Sequence, residues 1–381
     1  MGLRASRNDH ARPCLAPRGR ADHGQASPGL CQGRGRVSNS LTLFCAALFF
    51  ASAAAADTLR IATFNTELKR DGPGLLLRDI LRGQDAQVDA VVRMIAEVAP
   101  DIILLQNVDY DLGLAALTAL RDQISEAGPL YTEVFALRPN TGMTTRLDMD
   151  GDGRLGEPED AQGYGEFSGQ GGMALLSRYP VEGEGVRDFS QILWREVPNA
   201  LLPTVNGLPF PSEAAQAALR LSTTAHWVVP IRHPSGPLTL MAFHAGAPVF
   251  DGVEDRNGRR NHDQIVFWQH YMDGAFGPAP APDSRFVLLG HSNQDSVKGE
   301  GIKSAITGLL ADPRLQDPRP ARPNGGLETV DWSGIELGEL RVSYVLPSRD
   351  WQVVGAGVHW PVGSDVAGRH RIVWVDLALG G

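Results

Sequence analysis

Hydrophobic and polar positions along the chain follow two rhythms. Leu59–Phe64 alternates with β-branched and aromatic residues and predicts a strand. Further strands are predicted over 171–177, 219–231, 237–244, 285–290, 340–346, 352–357 and 371–377. Asp101–Gln106 holds a continuous apolar run bounded by Pro100, as a strand buried on both faces does. Within Asp85–Val98 the apolar positions Val88, Val91, Val92, Met94, Ile95 and Val98 recur at helical spacing. Helices are also predicted over 113–126, 260–274 and 301–311. Many strands broken by occasional helices, without strict βαβ alternation, predict two packed sheets with helices outside. Stretches rich in Pro, Gly and Asp near 138–170, 198–214, 276–284 and 312–337 predict surface loops within one domain.

The N-terminal stretch does not share these rhythms. Residues 1–37 are rich in Arg, Gly and Pro, and Leu41–Ala56 is an apolar run ending in alanines. That run is shorter than the ~20 residues a membrane-spanning helix needs. A basic region, a short apolar core and a small-residue end predict a secretory signal peptide, with a secreted or periplasmic product carrying no transmembrane anchor. The expected division is an N-terminal extension and signal over 1–56 and one domain over 57–381. All three cysteines, Cys14, Cys31 and Cys45, fall before residue 57, so the predicted domain has no disulfide or thiolate chemistry. The whole chain carries a formal charge of −9, and residues 1–56 hold seven Arg and two Asp, leaving the domain more acidic still. An acidic body is a poor generic partner for nucleic acid, whose non-specific affinity comes from neutralising phosphates.

Seven segments in order carry a family signature: LRIATFN ending at Asn65, PDIILLQN (Pro100–Asn107), GGMALLSRYPV (Gly171–Val181), LMAFHAG (Leu240–Gly246), FVLLGHSNQD (Phe286–Asp295), LRVSYVLPS (Leu340–Ser348) and RHRIVWVDL (Arg369–Leu377). On these blocks the chain resembles the endonuclease/exonuclease/phosphatase superfamily. The resemblance implies a DNase-like four-layer α/β sandwich, two packed mixed β-sheets flanked by helices. It also implies phosphoester hydrolysis of nuclease or phosphodiesterase type, at an edge holding a divalent metal such as Mg²⁺ or Mn²⁺. Asn65, His244, Asn293 and His370 match the family's phosphate- and metal-contacting positions. The carboxylates do not match. Asn107 stands where Glu is expected, His291 and Ser343 where Asp is expected, and Arg369 where Asp precedes the final His.

Mg²⁺ takes hard oxygen ligands, so amides and imidazoles alone hold it poorly. Three readings of this edge stay open. The scaffold is catalytically inactive and binds an anion or serves a structural role; or nearby acids (Asp109, Asp111, Asp295, Asp365) take over; or His244, His291 and His370 cluster around a softer ion such as Zn²⁺. The polar stretch Asp251–Asp263 places Arg256, Arg259 and Arg260 beside the His244 block, where they are candidates to bind a phosphate ester or other anion; the alternative is a solvated turn and helix start. No Gly-rich phosphate loop, GxSxG elbow or HExxH motif is present. Nothing in the chain predicts a protein partner.

One further motif stands apart. Asp148, Asp150, Asp152, Arg154 (through its carbonyl) and Glu159, with Gly153 at the turn, satisfy the spacing of a calcium loop inserted in the 138–170 segment. Affinities on the order of 10⁻⁴ to 10⁻³ M are usual for extracellular sites of this kind. Chelating calcium is expected to lower the melting temperature, and an identical melt with and without chelator would remove the site.

Overall fold

Side chains that alternate along each strand sort themselves into three apolar layers. The computed structural model describes residues 58–379. The expected signal peptide lies outside the described residues. The strands are β1 (Thr58–Leu68), β2 (Ile102–Val108), β3 (Glu133–Phe135), β4 (Gly172–Ser177), β5 (Arg187–Asp188), β6 (Thr204–Val205), β7 (Leu208–Pro209), β8 (Ala225–Ile231), β9 (Leu238–His244), β10 (Phe286–His291), β11 (Val330–Trp332), β12 (Gly338–Leu340), β13 (Ser343–Pro347), β14 (Val353–His359) and β15 (Ile372–Ala378). The helices are α1 (Leu75–Arg82), α2 (Ala86–Val98), α3 (Ala115–Ala127), α4 (Glu213–Ala218), α5 (Arg256–Met272) and α6 (Ser304–Leu310).

One sheet has six strands in the order β14-β15-β1-β2-β4-β3, the other five in the order β13-β10-β9-β8-β5. Each is mixed, because β1 and β2 run parallel in the first and β9 and β10 run parallel in the second, among antiparallel neighbours. Leu59, Ile61, Ile102 and Leu104 meet Trp227, Leu240, Val287 and Leu289 between the sheets. The opposite face of the first sheet packs Phe64, Ile103 and Leu105 against α1, α2 and α3. That of the second packs Phe243 and Leu288 against α5 and α6. The result is the expected helix–sheet–sheet–helix order.

Local chemistry sets the helix ends. Asp85 caps α2 by accepting from the Val88 amide at 2.9 Å, and Val88, Val91, Met94, Ile95 and Val98 are buried as their spacing predicts. Some elements differ from expectation. The strand expected over 219–231 begins only at Ala225, because Leu221 donates its amide to Ile192 while the carbonyls of Arg220, Leu221 and Ser222 accept from Arg260. The helix expected from residue 260 begins at Arg256, its polar first turn giving no periodic signal. The short α1 was not expected, since only Leu76 and Ile80 of its residues are buried.

Leu289 is fully buried between the sheets. Leu289→Ala is expected to cost about 2–5 kcal/mol of stability, read as a lower urea midpoint with unchanged slope. A loss near zero would mean that the layer is loosely packed.

Candidate functional site

The two-residue period that fills the inter-sheet core also builds the site. In β1 the inward series runs Leu59, Ile61, Thr63, Asn65; in β9 it runs Leu240, Ala242, His244; in β10 it runs Val287, Leu289, His291. Apolar positions thus give way to polar ones at one end of the strands. The parallel register sets His291 beside His244, and the antiparallel register sets Ser343 on β13 across from His291. His370, just before β15, reaches the same place through a bridge to Val330.

The rings of His244 and His291 lie edge to face with centroids 5.2 Å apart, and those of His291 and His370 at 4.8 Å. Trp332 presents its indole at right angles to His370, at 5.6 Å. All three histidines are buried. Burial pushes His291 down to about 4. Burial, then the neighbouring His291 and Lys69, hold His244 well below the ordinary histidine range. Burial, then His291, His244, Arg369 and Arg371, do the same to His370. The cluster is therefore neutral at neutral pH. His291 Nδ1 shares a hydrogen bond of 3.1 Å with Ser343 Oγ, while His370 Nδ1 has no partner.

The amides follow a similar rule. Asn107 Nδ2 donates to Asn65 Oδ1 at 2.8 Å, and Asn293 Nδ2 donates to the Ala245 carbonyl at 2.8 Å. Asn107 and Asn293 both have positive φ; Asn107 sits at a register shift within β2, and Asn293 lies two residues beyond β10.

These residues do not fit a magnesium ion. Asn107, His291, Ser343 and Arg369 supply no carboxylate, and the amide oxygen of Asn65 is already bonded to Asn107. The proposed replacement acids are engaged in other contacts. Asp109 accepts from the Arg70 and Gly171 amides, and Asp111 caps α3 through the Ala115 and Ala116 amides. Asp295 accepts from the amides of Val297, Lys298 and Arg341, and Asp365 pairs with the buried Arg371 at 2.8 Å. Each closes a turn or balances a cation. Arg369 itself pairs with Glu67 at 3.0 Å, two residues beyond Asn65. The softer-ion reading also meets a geometric obstacle. Zinc ligands must gather within bonding distance of one centre. Among the described residues, only Asp148, Asp150 and Asp152 bring one ligand atom each within 4.8 Å of one another. The histidines meet by their rings and do not chelate.

A cleft of about 590 Å³ opens at this edge. His244, Asn107 and Asn293 line it, together with residues of the 138–170 insertion and the start of α5. Arg256 and Arg260 line it as expected; Arg259 does not, and donates instead to the Glu254 carbonyl. Arg260 is buried and its Nε and Nη2 donate to the carbonyls of Leu221, Gln162, Arg220 and Ser222; burial pushes it down to about 9, so it stays cationic at neutral pH. Arg256 Nη1 donates to the Met149 carbonyl. Lys69 joins them from the end of β1. Among the described residues, no carboxylate forms an ion pair with these three cations. Lys69 and Glu67 were missed in the sequence, where closeness to Asn65 was the only signal.

Within the acidic loop, Asp148 accepts from the Gly151 and Gly153 amides at 2.6 and 2.9 Å. Glu159 departs from the calcium-loop expectation: it lines the cleft and does not join the aspartates. The next residue, Asp160, is buried and holds the Met149 and Gly156 amides. Arg154 extends into solvent near Asp152 and Glu157.

A family model described as endonuclease/exonuclease/phosphatase family matches residues 62–365. An endonuclease/exonuclease/phosphatase from Beutenbergia cavernae DSM 12333 superposes with a TM-score of 0.54 at 20% identity, covering 85% of this chain and 72% of that one. An endonuclease/exonuclease/phosphatase family protein from Leptotrichia buccalis C-1013-b gives 0.49 at 15% identity, over 83% and 98% of the two chains. Sphingomyelinase C from Streptomyces griseocarneus gives 0.47 at 15% identity, over 84% and 99%. At these identities the likeness is one of fold. No curated protein matches the chain.

The neutral histidines make stability depend on pH. Burial holds His226 and His291 at about 4 in the folded chain, against 6.5 in the unfolded one. Between those values the unfolded state binds more protons, so stability is full above pH 6.5 and falls as the pH drops toward 4. Melting temperature is expected to decline between pH 6.5 and 4.5; a flat profile there would contradict buried neutral imidazoles.

Proposed function

Because the chain belongs to the endonuclease/exonuclease/phosphatase family, whose chemistry is that of phosphoesters, we propose that it recognises a phosphoester in the cleft beside His244 without a magnesium-dependent hydrolytic step. The observation that carries this reading is the charge pattern. Lys69, Arg256 and Arg260 line the cleft and, among the described residues, form no ion pair with a carboxylate, and the four positions that would hold Mg²⁺ carry Asn107, His291, Ser343 and Arg369. A buried guanidinium satisfied only by carbonyls gains from an anion brought beside it. His244 and Asn293 supply polar groups to the cleft.

Hydrolysis is the second reading, favoured by the retention of Asn65, His244, Asn293 and His370 in the family's blocks. In that case these four orient phosphate and water. We further propose export of the domain over 57–381, on the apolar run Leu41–Ala56, and calcium binding in the 138–170 insertion, on the convergence of Asp148, Asp150 and Asp152. No described helix is long and apolar enough to cross a membrane.

Titration calorimetry with inorganic phosphate in magnesium-free buffer is expected to show binding that Lys69→Gln and Arg256→Gln each weaken about tenfold, the effect of losing one charge-assisted hydrogen bond. No binding by the wild-type protein would overturn the proposal. So would turnover of bis-p-nitrophenyl phosphate with Mg²⁺, Mn²⁺ or Zn²⁺ that disappears in His370→Ala, and that result would establish the hydrolytic reading.

A further inference from the structure

The cleft is not uniformly polar. Beyond the cations, its lining includes Met149, Leu219, Val249, Phe250 and Tyr164. Met149 and Leu219 belong to the packed layer beneath α5, so this part of the lining is a fixed apolar floor. Phe250 and Tyr164 are different. Phe250 is 87% exposed and Tyr164 57% exposed, although both are large aromatic residues. They come from separate segments, Phe250 from the loop after β9 and Tyr164 from the 138–170 insertion, and each lines the same cleft as Arg256 and Arg260. Leaving such rings in water forgoes the gain from burial, and aromatic surface gathered around one concavity marks a place where a partner supplies the cover.

The two features are complementary. Cations that form no ion pair with a carboxylate leave room for an anion, and adjacent exposed aromatic surface asks for an apolar group. A volume of about 590 Å³ falls within the ~300–1,000 Å³ range of small-molecule sites. Lys69, Arg256 and Arg260 do not extend into a basic surface track: Asp150, Glu254, Asp251 and Asp148 exert their field on Arg256, and Glu159 stands in the cleft lining. That arrangement suits one compact anion and disfavours a polyanion, whose successive phosphates would meet these acids.

We propose that the ligand of this cleft is a small, soluble phosphate ester bearing a compact apolar group, most readily an aromatic ring, with its phosphate on Arg256, Arg260 and Lys69 and its apolar group against Phe250, Tyr164 and Val249. This rests on the phosphoester reading above and extends it to the ester's other half. The phosphate sets orientation, and the apolar contact distinguishes the ester from free phosphate.

Competition and direct titration with three probes test it: inorganic phosphate, phenyl phosphate and phenol. Phenyl phosphate is expected to bind at least tenfold more tightly than inorganic phosphate, a difference of about 1.4 kcal/mol, and phenol alone only weakly. Phe250→Ser and Tyr164→Ser, both at exposed positions where folding does not depend on the ring, are expected to bring phenyl phosphate down toward the affinity of inorganic phosphate while leaving inorganic phosphate unchanged. Arg256→Gln should weaken both phosphates in parallel. Equal affinity for the two phosphates overturns the apolar half and leaves the phosphoester reading standing. Failure of both phosphates overturns the phosphoester reading itself. Tighter binding to a single-stranded oligonucleotide or to phospholipid vesicles than to phenyl phosphate also overturns the proposal.

Discussion

The inter-sheet layer is the constraint on which everything else depends. Its side chains come from strands whose period is two, and the parallel pairs β1/β2 and β9/β10 end at the same edge. Once Ile61, Leu104, Ala242 and Leu289 are committed to that layer, the next inward residues have no freedom to choose another face. Asn65, His244 and His291 are where they are because the apolar stripe beneath them is. A one-residue slip in any of these strands would turn its polar terminus away from the edge and expose its core residues together.

Charge at the edge departs from what the backbone would accommodate. Where carboxylates would offset a dication, the chain has an amide, an imidazole, a hydroxyl and a guanidinium at Asn107, His291, Ser343 and Arg369. The consequences are local and consistent. Asn107 bonds to Asn65, Ser343 to His291, and Arg369 finds Glu67. His370 keeps an unpartnered nitrogen. Burial then favours the uncharged imidazoles, since no carboxylate lies beside them to stabilise a proton. Positive charge is displaced to the cleft wall, where Arg260 is held by main-chain carbonyls alone. The 138–170 insertion completes that wall, and the Met149 carbonyl that steadies Arg256 belongs to it.

Much of this was legible in the chain before folding. The helix over Asp85–Val98, the buried strand over Asp101–Gln106 and the strands over 237–244 and 285–290 follow from spacing alone, because burial of a regular element leaves a regular imprint. The loss of the carboxylates is also legible as residue identity, but only against the family's blocks. Other features left no imprint. The stretch Leu219–Thr224 has a strand's composition yet spends its carbonyls on Arg260, a partner about forty residues away. Asp263, at the end of the polar stretch Asp251–Asp263, is buried, accepting from the Trp194 indole and the Leu201 amide, both at 2.6 Å.

The sequence by itself determined the layered fold and the edge at which polar residues collect. Those properties depend on local period and residue type, which the chain carries explicitly. Only the tertiary structure decided that Asp109, Asp111, Asp295 and Asp365 are occupied elsewhere, that the three histidines meet by their faces and edges, that Arg260 lines the cleft while Arg259 turns away, and that Tyr164 and Phe250 line the same cleft. Each of these depends on which hydrogen-bond partner or neighbouring segment a side chain meets across a long separation in sequence. Burial makes such pairings obligatory, yet a linear pattern does not specify which one is made.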